Sequence, residues 1–352
     1  VPLHSWLPDA HPAAPSSVSA PLSGIITKMG IFGIVAVMLM RPMVSTLPGL
    51  FGLSWLGTGL VFTGAATLIL GEVMALRQDD IKRMLAYSTL GQIGEITLVL
   101  GLGTWLSTTG ALWHMFNHAI MKDLLFLGAG ALIMRSGSRK LSDLRGLGRQ
   151  MPFTLAMFAI AGLSVVGVPP TSGFSSKWLI YHALMEAGQP FLALLSLIGS
   201  VLTMAYIAKF LHAAFLGQPS PNLHDVHEAP LIMRAPMGIL AAGCVLTGVF
   251  PGLALSPINS VLVEYGFMPL NVGLSGVLSG PGAWNATGMF VMMALAFAGG
   301  RWFVLRFTRL REIDVHTCGL PVETSTSRMK PSSIYGDILR LVGGEKTAKE
   351  NR

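Results

Sequence analysis

Apolar segments about as long as a bilayer is thick recur from one end of this chain to the other, and that recurrence limits the folds open to it. A helix needs about 20 apolar residues to cross roughly 30 Å of hydrocarbon. Segments of that kind fall at 14–40, 52–76, 82–103, 107–134, a paired stretch at 151–187, then 189–216, 230–252 and 284–308. With 52% hydrophobic and only 12% charged residues, the 352-residue chain is too apolar for a soluble globular domain. The segments do not alternate apolar and polar residues as barrel strands would. The predicted fold class is therefore all-α: a polytopic transmembrane helix bundle of about eight spans. The chain opens on Val1-Pro2-Leu3-His4, without an initiator Met or basic leader, so further helices are expected upstream.

Eight crossings place both ends on one side and sort the net charge of +7 by loop. Arg77, Lys82, Arg83, Arg135, Arg139, Lys140, Arg145, Arg149, Arg234, Arg301, Arg306 and the basic tail 309–352 share the side of the termini, and Arg41 alone lies opposite. The positive-inside rule then makes both termini cytoplasmic. The basic residues flank helix ends and form no aromatic-interleaved stripe, which argues against nucleic acid as a partner. Cys244 and Cys318 are too far apart for a CxxC or cluster site, and the chain carries no Walker loop and no GxGxxG after a strand. No cofactor or metal is expected within this chain.

Ionisable residues inside the apolar spans are the specific signal. A lysine at the bilayer centre costs about 2.5–3.5 kcal/mol, so several are retained only where they face a polar interior. His114, His118 and Lys122 follow one another at intervals of four, which stacks them on one helical face over roughly 12 Å. That row suits proton relay; the alternative is that the histidines make interhelical hydrogen bonds. Gly167-Val-Pro-Pro170-Thr-Ser-Gly173 interrupts the paired stretch through Pro169, Pro170 and Gly173, and predicts a broken helix whose halves share one crossing. Lys177 follows the break, with Tyr181, His182 and Glu186 beyond it. Lys28 stands alone in its span, Glu95 is a candidate partner for one of the lysines, and Lys209 nears a helix end where snorkelling is the alternative.

The run Pro2-Leu-His-Ser-Trp-Leu-Pro-Asp-Ala-His11, then Ala14-Pro-Ser-Ser-Val-Ser-Ala, Lys28, and Asp80-Ile-Lys-Arg-Met-Leu-Ala-Tyr-Ser-Thr-Leu-Gly-Gln-Ile-Gly94 closely resembles the antiporter-like, proton-conducting membrane subunits of complex I, of multisubunit cation/proton antiporters and of membrane-bound hydrogenases. The resemblance covers residues 1–217. It implies two inverted five-helix repeats with a broken helix in each and an axis of lysine, histidine and glutamate. On that axis would lie Lys28, His114, His118, Lys122 and Lys177, with Glu95, Tyr181, His182, Glu186 and Lys209 as possible support. The family's broken-helix position occupied by Lys177 is glutamate in some branches.

Gly173-Phe-Ser-Ser-Lys177-Trp and the tail Thr317-Cys-Gly319, Thr324-Ser-Thr and Pro331-Ser-Ser-Ile-Tyr335-Gly resemble the large membrane subunit of formate hydrogenlyase and other group 4 nickel-iron hydrogenases. That branch implies nickel-iron and iron-sulfur centres in peripheral partner subunits and other membrane subunits alongside; the helices expected upstream add a separate chain carrying them as a further candidate partner. The branch also implies residence in the inner membrane of a prokaryote. A complex I-like quinone reductase, a stand-alone antiporter, or a structural subunit without conduction remain as alternatives, and the ion is a proton or sodium. The domains expected are 1–217 for conduction, 218–308 for additional membrane helices, and the basic cytoplasmic tail 309–352.

Overall fold

The computed structural model describes residues 3–40, 53–216 and 226–307. Arg41 and the tail 309–352, including Cys318 and the branch-specific motifs there, lie outside the described residues. The helices are α1 (Leu7–Ala13), α2 (Ser16–Pro21), which passes through a π turn at Leu22–Ile26 into α3 (Thr27–Met40), α4 (Trp55–Arg77), α5 (Ile81–Leu100), α6 (Trp105–Ser136), α7 (Pro152–Val166), α8 (Ser172–Glu186), α9 (Pro190–Phe215), α10 (Leu231–Val249), α11 (Gly252–Glu264) and α12 (Ala286–Phe307). Each of the eight segments read from the sequence holds a helix or, at 151–187, a pair of them. The chain divides into two compact units, Val1–Thr287 and Gly288–Arg352.

Five stretches are long and apolar enough to cross a membrane: Ser16–Met38, Trp55–Arg77, Pro190–Phe215, Leu231–Val249 and Ala286–Val304. Helices α5 and α6 have the length but carry more charge, and they are the most deeply buried. Helices α7 and α8 have 15 residues each, about 22 Å of rise, so neither crosses alone. Gly167 ends α7 in the left-handed conformation (φ 88°), and the Ser164 hydroxyl accepts from the Gly173 N–H across the break at 3.2 Å. The broken helix predicted at Pro169, Pro170 and Gly173 is present. Helix α11 and the β1–β2 hairpin (Asn271–Gly273, Gly276–Ser279) were not legible, because proline, glycine and a short apolar run mark them only as connection.

Helices α4 and α5 pack through small residues. A Cβ on Gly57 would fall 2.4 Å from the Gly101 carbonyl oxygen, one on Gly64 2.4 Å from Leu98 N, and one on Gly71 2.3 Å from Gly91 N. These glycines repeat every seven residues along α4, so the seam stays on one face while the backbones touch, as lipid-embedded helices require in the absence of a hydrophobic driving force. At the end of α4, Lys209 of α9 donates to the carbonyls of Leu76 (3.0 Å) and Gln78 (2.9 Å), a cation on carbonyls at the negative end of a helix dipole.

Helix α9 is inside-out relative to a soluble helix. Ser196, Ser200, Thr203 and Tyr206 point inward while Phe191, Leu194, Leu197, Val201 and Met204 are exposed. Hydrocarbon outside and polar side chains inside are the arrangement of a membrane helix lining a polar interior.

Candidate functional site

The inward faces of α3, α5, α6, α8 and α9, joined by one carboxylate from α4, bring the buried ionisable side chains together. On α5, Ser88, Gln92 and Glu95 are spaced i, i+4, i+7 and share the face opposed to the α6 row. Lys122 donates to Ser88 Oγ at 2.6 Å and reaches the Leu85 carbonyl at 3.4 Å. Ser88 hydrogen-bonds the Tyr206 hydroxyl, which lies beside Thr203 and Glu72. Glu72 Oε1 accepts from Gln92 Nε2 at 3.1 Å and Oε2 from Thr203 Oγ1 at 2.9 Å. Gln92 Oε1 pairs with His114 Nε2 at 3.0 Å, and His114 Nδ1 with Ser176 Oγ at 2.8 Å.

Beyond His114 stands an ion pair. Lys177 Nζ lies 3.4 Å from Glu95 Oε2, which is also 3.9 Å from His114 Nε2, and Ser196 donates to the other oxygen of Glu95. Lys177 donates to Ser200 Oγ at 2.7 Å, and Ser200 bonds Tyr181 at 2.7 Å. Glu95 thus has its partner: Lys177, on the first turns after the helix break. The pair is almost without solvent exposure, a burial that stands only when both charges are present and hydrogen-bonded.

On the other flank, Lys28 folds back onto the Ser23 carbonyl, within the π turn, and reaches Thr27 Oγ1 at 3.4 Å. Ser23 Oγ bonds Thr89 Oγ1 at 2.7 Å, and Thr89 donates to the same Leu85 carbonyl that Lys122 approaches. Polar contacts therefore run from Lys28 through Lys122 to Lys177 and Tyr181. Lys28 also lines an apolar groove of about 530 Å³ with Met29, Phe32, Met115, Phe116 and Val261.

Not every sequence-predicted residue joins this network. The His118 ring is fully buried, its centroid 6.2 Å from that of His114, and among the described residues neither of its ring nitrogens has a hydrogen-bond partner. His182 is half-buried and packs its ring on Trp178 (4.8 Å), and Glu186 is exposed at the end of α8. Lys209 binds carbonyls at the end of α4 as described above. Glu72, Gln92 and Tyr206 were missed. Glu72 lies near the end of the span read at 52–76, where an acid passes for an interfacial residue, and the signal that finds it is the spacing of polar residues on α9. His11 was also passed over: it is fully buried and stacks on Phe126 at 4.4 Å. Among the described residues there is no group of three or more His, Cys, Asp or Glu arranged to hold a metal.

Comparison with known proteins places this architecture. The chain is 33% identical to hydrogenase-4 component B of Escherichia coli K12 over 94% of its own length and 53% of that protein. It is 34% identical to NADH-quinone oxidoreductase subunit N of Desulforudis audaxviator over 71% of its length and 51% of that protein. The solved structure of a membrane-bound sulfane sulfur reductase, an archaeal respiratory membrane complex, superposes with a TM-score of 0.84 at 30% identity, covering 97% of this chain and 60% of that one. The chain thus spans about half the length of the curated relatives it matches. Residues 1–203 match the transmembrane family described as NADH:quinone oxidoreductase/Mrp antiporter. With buried lysines, a broken helix and an inward polar stripe on the same residues, the chain belongs to this family of antiporter-like membrane subunits.

Proposed function

We propose that residues 1–217 conduct protons across the membrane, with sodium as the alternative ion, as part of a redox-driven complex. The observation that carries this reading is the buried polar run from Lys28 through Lys122 to Lys177, which gives costly cations a connected set of exchange partners. Residues 218–308 would add membrane helices and 309–352 a cytoplasmic tail, in the inner membrane of a prokaryote with both ends inside. Lys122→Ala should abolish proton transport while electron transfer in the partner subunits continues. The measurement is proton uptake by vesicles holding the complex, and normal uptake in that variant removes the central row from the mechanism.

The hydrogenase-4 relative, together with the motifs around Lys177, supports a group 4 hydrogenase or formate hydrogenlyase-type complex, with nickel-iron and iron-sulfur centres in peripheral subunits. The likeness to the sulfane sulfur reductase supports a second reading, in which the same membrane subunit serves a complex that reduces sulfur. Nickel together with iron in the purified complex is expected under the first. A complex without nickel overturns it.

A further inference from the structure

We propose that Glu72 is a proton carrier between the two buried lysine centres and that the Gln92 amide gates its exit toward His114; the proposal rests on the conducting reading above. Glu72 is fully buried, yet the four ion pairs found among the described residues do not include it. Its carboxylate is held by two neutral donors, Gln92 Nε2 and Thr203 Oγ1, with the Tyr206 hydroxyl beside it. Glu95 cannot take a proton without stranding Lys177, whereas Glu72 makes no direct ion pair and is the carboxylate that balances Lys122, the group that gives up the proton. The Lys122 ammonium gives a proton to Ser88, Ser88 passes its own to Tyr206, and Tyr206, one turn along α9 from Thr203, turns its hydroxyl to pass its own to Glu72. Lys122 ends as a neutral amine and Glu72 as a neutral acid, and both hydroxyls are restored.

Gln92 is the next link and differs in kind. Because the Glu72 carboxylate only accepts, the Gln92 NH₂ must face it, which turns Oε1 toward His114 and requires a proton on His114 Nε2. Ser176 then donates to His114 Nδ1. When Nδ1 is protonated the bond reverses, and Ser176 can donate to the Gly173 carbonyl at 3.1 Å instead. His114 is thus satisfied in both charge states. The amide is not a relay: passing a proton through it would require the imidic acid tautomer. From Glu72 to His114 the hydrogen-bonded line is continuous, but its proton path is interrupted at Gln92 until that side chain moves. Room for the carboxylate beside Gln92 comes from Gly91, where a Cβ would fall 2.2 Å from Glu72 Oε1.

The test uses the complex with its partner subunits in phospholipid vesicles, an imposed potassium diffusion potential, and an internal pH dye, with subunit stoichiometry as the assembly control. Glu72→Gln keeps the shape and should slow proton uptake roughly 10²-fold, the low end for losing a positioned proton-transfer group, with partial recovery in Glu72→Asp. Gln92→Leu should block uptake as strongly, whereas Gln92→Glu, which replaces the amide with a relay, should raise it above wild type. A protonated-carboxyl infrared band that appears on acidification and is missing in Glu72→Gln supports the assignment, and an unchanged band overturns it. Wild-type uptake in Glu72→Gln beside a silent Lys122→Ala overturns the carrier and leaves the conducting reading standing. Wild-type uptake in both overturns both. Gln92→Leu at the wild-type rate, or Gln92→Glu no faster than wild type, overturns the gate.

Discussion

Lys177 and Glu95 illustrate how much a single charge depends on its neighbour inside this protein. One carboxylate oxygen accepts from Ser196 and the other faces Lys177 at 3.4 Å, while the site excludes solvent. Removing one partner leaves the other uncompensated in low dielectric, a loss of about 3–5 kcal/mol, whereas removing both costs far less. Lys177→Met should therefore lower the thermal unfolding midpoint sharply, and Lys177→Met with Glu95→Gln should recover much of it. Additive losses in that cycle would show that the two side chains are not coupled. Glu95 was legible as an ionisable residue in an apolar span; its partner was not, because Lys177 lies 82 residues further on and only packing brings the two together.

Helix ends and seams carry the next level. The half-helix α7 begins at Pro152 without a side-chain cap of its own, and Glu228 supplies one from the connection before α10. Its carboxylate accepts from Phe153 N at 2.8 Å, Thr154 N at 3.2 Å and Thr154 Oγ1 at 2.6 Å, an anion where the α7 dipole is positive. Glu228→Ala should cost about 0.5–2 kcal/mol, in the range for loss of an N-cap, and read as a lower unfolding midpoint, with Glu228→Gln in between. An unchanged midpoint would mean that the cap adds nothing beyond the proline. The break itself was readable from Pro169, Pro170 and Gly173, because ring and glycine constraints act locally. The cap was not, since 74 residues separate donor and acceptor.

At the scale of the molecule, the eight-crossing arrangement proposed for the chain would put the loop after α6 and the end of α8 on opposite faces of the membrane. In a Cys318→Ser background, with Cys244 buried, Ser138→Cys should react with an impermeant maleimide from the cytoplasmic side only and Glu186→Cys from the other only. Labelling of both from one side would mean that α7 and α8 make two crossings. What the sequence by itself determined is the all-α class, the apolar helical segments, the break and the spacing that stacks His114, His118 and Lys122 on one face, because hydrocarbon thickness and helical periodicity are written in neighbouring residues. What only the tertiary structure decided is which buried group speaks to which: Glu95 with Lys177, Glu72 with Thr203, Gln92 between Glu72 and His114. Those partners come from different helices, and hydrogen bonds are selected by distance in space, which linear spacing does not encode.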